Sequence, residues 1–157
     1  MTDVAFVTTR SDGSCGIGRY TSNLVAELET EIDTSCVYLN HSGVKNIIAS
    51  ISLVRTAIGC EADIIHVQHE YELFRGSPLN LPGFHTFTVY GLLFPYILIT
   101  GTKLLTTMHT VYSIADNGRP LRATVYLTIL HNFILIMSDR VVSLSENSYD
   151  RLTNCEH

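Results

Sequence analysis

The 157-residue chain has no cluster of lysine or arginine, and its formal net charge is −5. Proteins that bind nucleic acid neutralise phosphates with a basic patch, so this absence argues against a nucleic-acid partner. The four cysteines are widely spaced and form no C-x-x-C pair, which leaves a zinc knuckle or a redox motif without support. The amino terminus lacks a basic segment followed by a long apolar run, as a signal peptide would have. We therefore expect a cytoplasmic chain with reduced thiols and no metal.

Charged residues are also missing from two long segments, 76–102 and 123–138. The first is long enough for a transmembrane helix, which needs about 20 apolar residues. It nevertheless contains Asn80, His85 and three prolines, and polar groups are costly in lipid. Buried helices beside a sheet explain both segments better, and a small membrane protein is the alternative. We predict a helix over 86–100 that packs on a sheet, with one face available to lipid.

Strand-like and helix-like patterns alternate along the chain. Strands are predicted at 4–8, 36–40, 63–68, 103–108 and 139–144, and helices at 19–31, 44–58, 86–100, 121–137 and 146–152. This alternation is typical of the α/β class, with a Rossmann-like open parallel sheet and flanking helices. We predict a single domain over 1–157 and the strand order 3-2-1-4-5.

Polar clusters follow four of the five predicted strands, at the sheet edge where such folds bind ligands. The first is the turn 13–21, G-S-C-G-I-G-R-Y-T, whose glycines and free helix-start amides favour an anion. NAD is disfavoured because Thr21 occupies the third glycine position of the dinucleotide fingerprint and Asn40 ends the second strand. A tight turn without any ligand is the alternative.

Three histidines lie in or after predicted strands. His66 and His69 face opposite sides of their strand because side chains alternate, so they do not form a metal site. His69 and Glu70 follow the strand and could line a cleft. His109 ends the fourth strand, where a histidine suits proton transfer or a hydrogen bond to a sugar hydroxyl. The alternative is a histidine that only satisfies a neighbouring carbonyl.

Four segments in the same order resemble the retaining GT-B glycosyltransferases of family 4, over nearly the whole chain. They are G-I-G-R-Y-T at 16–21, D-I-I-H-V-Q-H-E-Y-x-L-F at 63–74, L-L-T-T-M-H-T at 104–110 and S-D-R-V-V-S-L-S-E at 138–146. The resemblance implies the N-terminal, acceptor-side domain of an enzyme that transfers a hexose from a nucleotide sugar to a lipid or glycan acceptor. It implies no metal and no further cofactor.

The resemblance also assigns roles to particular residues. It places Gly16 and Gly18 beside the donor diphosphate and the acceptor, and it places His109 near the transferred sugar as the catalytic candidate. From their positions at the strand ends, we also expect substrate binding by Arg19, His69, Glu70, Thr110 and Glu146. The donor-binding domain with its E-x7-E element is expected to be absent, so a separately encoded domain would complete the enzyme. Alone, the chain is expected to be inactive, with feeble affinity for nucleotide sugars and with peripheral membrane contact. An inactive fragment or binding module with the same fold is the alternative.

Overall fold

The computed structural model describes residues 2–10, 15–39, 43–75, 81–112, 120–146 and 150. Five strands and four α-helices alternate, with a short 3₁₀ helix, Tyr71–Phe74, after the third strand. The elements are β1 (Asp3–Thr9), α1 (Gly16–Leu28), β2 (Asp33–Leu39), α2 (Ile47–Ile58), β3 (Ile64–His69), α3 (Phe84–Thr100), β4 (Lys103–Met108), α4 (Leu121–Met137) and β5 (Arg140–Ser143). The α/β class with a Rossmann-like parallel sheet is thereby confirmed.

All neighbouring strands are parallel, and their order is β2-β1-β3-β4-β5. The predicted order 3-2-1-4-5 is therefore wrong. A right-handed crossover fixes the face that the connecting helix covers, but it does not fix the direction in which the chain moves along the sheet. The chain reverses that direction after β2, so β3 lies beside β1 in the centre of the sheet. Val4 of β1 accordingly has Thr34 on one side and Ile64 on the other.

The helices form two unequal layers. On one face α1 meets β1, where the hydroxyls of Thr21 and Thr8 are 2.8 Å apart. On the other face α2 packs against α3 and α3 against α4. There the hydroxyl of Tyr90 on α3 lies 2.9 Å from that of Thr106 on β4. The main apolar core lies between this three-helix layer and the sheet, and it includes Val7, Val37, Leu53, Ile65, Val67, Leu93, Leu104, Met108, Leu130 and Ile134.

Both uncharged segments contribute helices to this layer. Helix α3 covers the predicted 86–100 and begins two residues earlier, and its residues Val89, Tyr90 and Leu93 are buried. Its packing on the sheet is thereby confirmed. Within the part of the chain that the structure describes, every helix is too short or too polar to cross a membrane.

The three-helix layer exposes many large apolar side chains, which together we call the outer apolar surface. Its members are Ile47, Ile48, Ile51, Leu92, Phe94, Leu98, Ile99, Leu121, Val125, Ile129 and Ile136. Helices α2, α3 and α4 contain no aspartate or glutamate, and their only charged side chains are Arg55 and Arg122. Large apolar side chains exposed in such number favour a contact with a partner or a membrane.

Helix α1 begins at Gly16, three residues before the predicted start, so Gly16 and Gly18 belong to its first turn. Gly13 and Ser14 of the predicted turn lie outside the described residues, as does Asn40. The predicted helix at 146–152 also lies outside them, apart from Glu146 and Asp150.

Replacing Gly83 with alanine should destabilise the fold by about 2–3 kcal/mol. Gly83 precedes α3 with φ of 69°, and an added Cβ would come within 2.8 Å of Leu130 Cδ2 and 3.2 Å of Tyr71 Cδ1. Gly91 is the matched control, since it lies inside α3 with no heavy atom within 4 Å of an added Cβ. Gly91→Ala should stabilise by about 0.5–1 kcal/mol. Urea denaturation measures both, and equal effects would contradict the packing at Gly83.

Candidate functional site

The reversal of direction lies between the carboxyl ends of β1 and β3, which is the place where open α/β sheets form a crevice. After β1 the chain moves outward to β2, whereas β3, β4 and β5 follow on the other side. Open α/β sheets bind ligands at such a point, because the connections leave in opposite directions and leave a gap. The residues after β1, β3 and β4 therefore surround the candidate site.

The first wall of the crevice is the start of α1. Cys15 precedes the helix with extended backbone, and the first intrahelical bond runs from Arg19 N to Cys15 O at 3.2 Å. Helix geometry gives the amides of Gly16 and Gly18 no acceptor within the helix. Gly16 is exposed with open space around it, Gly18 is buried, and the Arg19 side chain is exposed. This wall offers amide donors and one cation.

The second wall carries His109 immediately after β4. Its ring is half-buried, and Tyr20 of α1 meets it edge-on with ring centroids 5.3 Å apart. Nε2 of His109 lies 2.8 Å from Oε1 of Gln68 on β3. Burial lowers the pKa of His109 below its ordinary value, which favours the neutral ring at physiological pH. The contact with Tyr20 places His109 and the first turns of α1 at the same sheet edge, as predicted, and Thr110 follows it half-buried.

Behind His109 lies a row of polar side chains on the α1 face of the sheet, which we call the buried polar row: Gln68, His66 and Thr107. Gln68 Nε2 is 3.2 Å from His66 Nε2, and the same His66 nitrogen is 2.8 Å from Thr107 Oγ1. All three side chains are buried. Burial, with a smaller effect of His109, lowers the pKa of His66 to about 4. The row is thus a neutral support for the histidine at the crevice.

His69 lies on the other face of the sheet and is fully buried in the core. Its Nε2 is 2.9 Å from Thr86 Oγ1, and its ring stacks on Phe74 at 5.1 Å between centroids. Burial, together with His131 and His109, lowers its pKa to about 3. His66 and His69 therefore face opposite sides, as predicted, and the side chain of His69 does not meet that of His109.

Glu70 and Glu146 are the two remaining predicted binding residues. Glu70 is half-buried, and its carboxylate accepts a hydrogen bond from Tyr71 N at 3.0 Å, which caps the 3₁₀ helix. Glu146 is exposed after β5, in an open depression with Ser145 and Asp150. Since β5 is two strand spacings from β3, about 10 Å, Glu146 lies outward from the crevice. The structure thus brings α1 and His109 together and leaves Glu146 apart.

A second polar cluster lies in the core beside His69. Tyr71 OH is hydrogen-bonded to His131 Nε2 of α4, and the Tyr71 ring stacks on Tyr112 with centroids 4.4 Å apart. Both Tyr71 and His131 are fully buried, and burial lowers the pKa of His131 to about 4. The histidine in the middle of the uncharged α4 is therefore a core residue.

A wide surface depression lies at the opposite sheet edge, near the amino ends of β3 and β4. Two of its charged side chains, Asp63 and Lys103, already have structural partners. Asp63 accepts from Asp3 N at 3.0 Å, and Lys103 pairs with Asp139 at 3.1 Å. In the described ranges, from 2–10 to 120–146 with residue 150, no group of three or more His, Cys, Asp or Glu side chains could hold a metal ion. We therefore place the candidate site at the crevice.

Sequence reasoning missed Tyr20, Gln68, His66 and Thr107 as neighbours of His109. The sequence contains part of this information, because His66 and Gln68 are two residues apart in a strand and must therefore lie on the same face of the sheet. No model of a known protein family matches the chain, and no curated protein matches it either. The glycosyltransferase resemblance thus depends on the sequence motifs alone.

Proposed function

We propose that the chain is the acceptor-side half of a retaining GT-B glycosyltransferase. It would take part in hexose transfer from a nucleotide sugar to a lipid or glycan acceptor once a donor-binding domain completes the cleft. The observation that carries the proposal is the neutral His109 beside the first turns of α1, at the point where the sheet reverses direction. An inactive module that only binds the acceptor is the second candidate.

The chemistry of the crevice suits sugar hydroxyls. A neutral imidazole exchanges hydrogen bonds with hydroxyl groups, and the amides at the start of α1 can donate to oxygens of the substrate. Retaining transfer depends on positioning the acceptor and on stabilising the departing diphosphate. The α1 start supplies at most a few of those donors, so the donor nucleotide needs partners from another domain.

The outer apolar surface favours an acceptor that is linked to lipid. Its three helices present large aliphatic side chains and two arginines, without a carboxylate that an anionic bilayer would repel. We propose that this surface rests on the membrane as a peripheral contact. The chain would then hold its crevice near the headgroups, where a lipid-linked acceptor presents its sugar.

A titration followed by NMR tests the acceptor role. Octyl glucoside, kept below its micelle-forming concentration, should give saturable shifts at Tyr20, His109 and Thr110. His109→Ala should weaken that binding about tenfold, the equivalent of one hydrogen bond. Thr100→Ala, at the far end of α3, is the control and should leave it unchanged.

Calorimetry with UDP-glucose, GDP-glucose and ADP-glucose tests whether these residues bind the sugar donor. We expect dissociation constants no tighter than about 1 mM, because that affinity already needs about −4 kcal/mol. A low-micromolar constant for any of the three would place the donor site in this chain. That result, or the lack of saturable glycoside shifts at the crevice, would overturn the proposed function.

A further inference from the structure

The atoms of the buried polar row determine which group donates and which accepts in each of its hydrogen bonds. A carboxamide accepts through its oxygen and donates through its nitrogen. Gln68 turns Oε1 toward His109 Nε2 at 2.8 Å and Nε2 toward His66 Nε2 at 3.2 Å. His109 must therefore carry its proton on Nε2, and His66 Nε2 must be the acceptor.

We propose that Gln68 is a positioning residue that holds His109 as the Nε2–H tautomer and so presents its Nδ1 lone pair to the crevice. Gln68 is fully buried between β1 and β4, so water does not compete for its oxygen. Tyr20 packs edge-on against the His109 ring and opposes its rotation. The use of the lone pair by a substrate rests on the proposed function, whereas the tautomer does not.

His66 and Thr107 fix the orientation of the Gln68 amide. Thr107 is the register partner of Gln68 on the neighbouring strand, and its hydroxyl lies 2.8 Å from His66 Nε2. The hydroxyl and the amide nitrogen both donate to that lone pair, so His66 carries its proton on Nδ1. Phe6 packs on the His66 ring with centroids 5.0 Å apart and keeps it in place. A neutral His66 thus keeps the amide nitrogen turned inward and the oxygen turned toward His109.

The tautomer of His109 determines which substrate groups its ring can bind. A fixed Nδ1 acceptor takes a hydrogen bond from a hydroxyl, and it repels a phosphate oxygen, which is also an acceptor. The crevice then distinguishes two chemistries: hydroxyl donors at His109 and anionic oxygens at the amides of α1. Gln68 would set this division without touching the substrate.

The test is ¹⁵N NMR of the histidine rings in the folded chain near neutral pH. We expect His109 to show a protonated Nε2 whose hydrogen exchanges with water about tenfold more slowly than in Gln68→Met, the ratio that one hydrogen bond supports. Gln68→Glu keeps an acceptor at the same place and should restore the protection. Tyr126→Phe, which removes a hydrogen bond from α4 to Pro82 O and leaves the buried polar row intact, is the matched control and should retain it.

Two results would overturn the inference. One is a wild-type His109 that is protonated on Nδ1, because its Nε2 would then need the nitrogen of the Gln68 amide instead of the oxygen. This result overturns the inference even if a variant fails to fold. The other is a folded Gln68→Met whose Nε2–H exchanges as slowly as that of the wild type. If the chain shows the protected Nε2–H but binds no octyl glucoside, this inference stands and only the proposed function is wrong.

Discussion

Lowering the pH from about 7.5 to about 5 should reduce the free energy of unfolding by about 6 kcal/mol. Three buried histidines cause this loss: His66, His69 and His131, with pKa values lowered by burial to about 4, 3 and 4. In the unfolded chain they titrate near 6.5, so that state binds about three more protons at pH 5. Since domains are stable by only about 5–15 kcal/mol, this loss removes a large share of the stability.

The free energy of unfolding falls at low pH because the unfolded state binds more protons than the folded state. These bases are neutral in the folded chain, so their contribution is complete above the unfolded pKa and is lost as pH falls toward the folded values. At His69 the loss has a visible cause, because Nδ1 is buried and has no hydrogen-bond partner among the described residues. A proton on that nitrogen would be a buried charge without an acceptor.

Urea titrations between about pH 7.5 and pH 5 measure the effect as a slope of about 4 kcal/mol per pH unit at the acid end. His131→Gln should reduce that slope by about one third, whatever its effect on absolute stability. Tyr126→Phe removes the 2.7 Å hydrogen bond to Pro82 O without removing a group that titrates in this range, so its slope should match the wild type. A wild-type slope smaller than the slope expected for a single proton would contradict the conclusion that these buried histidines are neutral.

Four polar substitutions on the outer apolar surface should lower binding to phosphatidylcholine–phosphatidylglycerol vesicles about a thousandfold. The variant combines Leu98→Ser, Ile99→Ser, Ile129→Ser and Ile136→Ser, whose side chains are 55% to 85% exposed. Because these four side chains are so exposed, replacing them should not disturb the core. Each lost aliphatic contact with lipid is worth about 1 kcal/mol, or about 4 kcal/mol in all.

The control for vesicle binding carries Tyr38→Ser and Val142→Ser, which remove exposed apolar side chains from strands β2 and β5. Flotation of this control should match the wild type. Wild-type chains that ignore the vesicles but self-associate through the four substituted residues would contradict the membrane contact. The outer apolar surface would then be an interface between copies of the chain.

Most of the fold was predictable because strand and helix periodicities are local properties of the sequence. The strand order was not, although the strands contain part of the information. Strand β3, I-I-H-V-Q-H, is buried along nearly its whole length, as a central parallel strand must be. Strand β2, D-T-S-C-V-Y-L, alternates between exposed and covered positions, which suits an edge. Comparing these two compositions would have favoured β3 beside β1.

The candidate site was predictable only where it depends on topology. Parallel strands end at one edge, so the proximity of His109 and α1 followed from the pattern. The burial of His69 did not, because it depends on Phe74 and Thr86, which approach from separate elements. Likewise, the support that Gln68 gives to His109 crosses between two strands, and its residues are 41 positions apart. Such contacts become visible only once the register of the strands is known.

The position of β3 beside β1 has a consequence for how the chain folds. Asp3 N donates to an oxygen of Asp63 across a separation of 60 residues. During synthesis β1 emerges first, yet it cannot acquire its inner neighbour until α1, β2 and α2 have all been made. The pairs β3–β4 and β4–β5, in contrast, close over much shorter stretches of chain. We therefore expect the two central strands to pair late, with slow folding set by that long loop closure and with β1 exposed in the meantime.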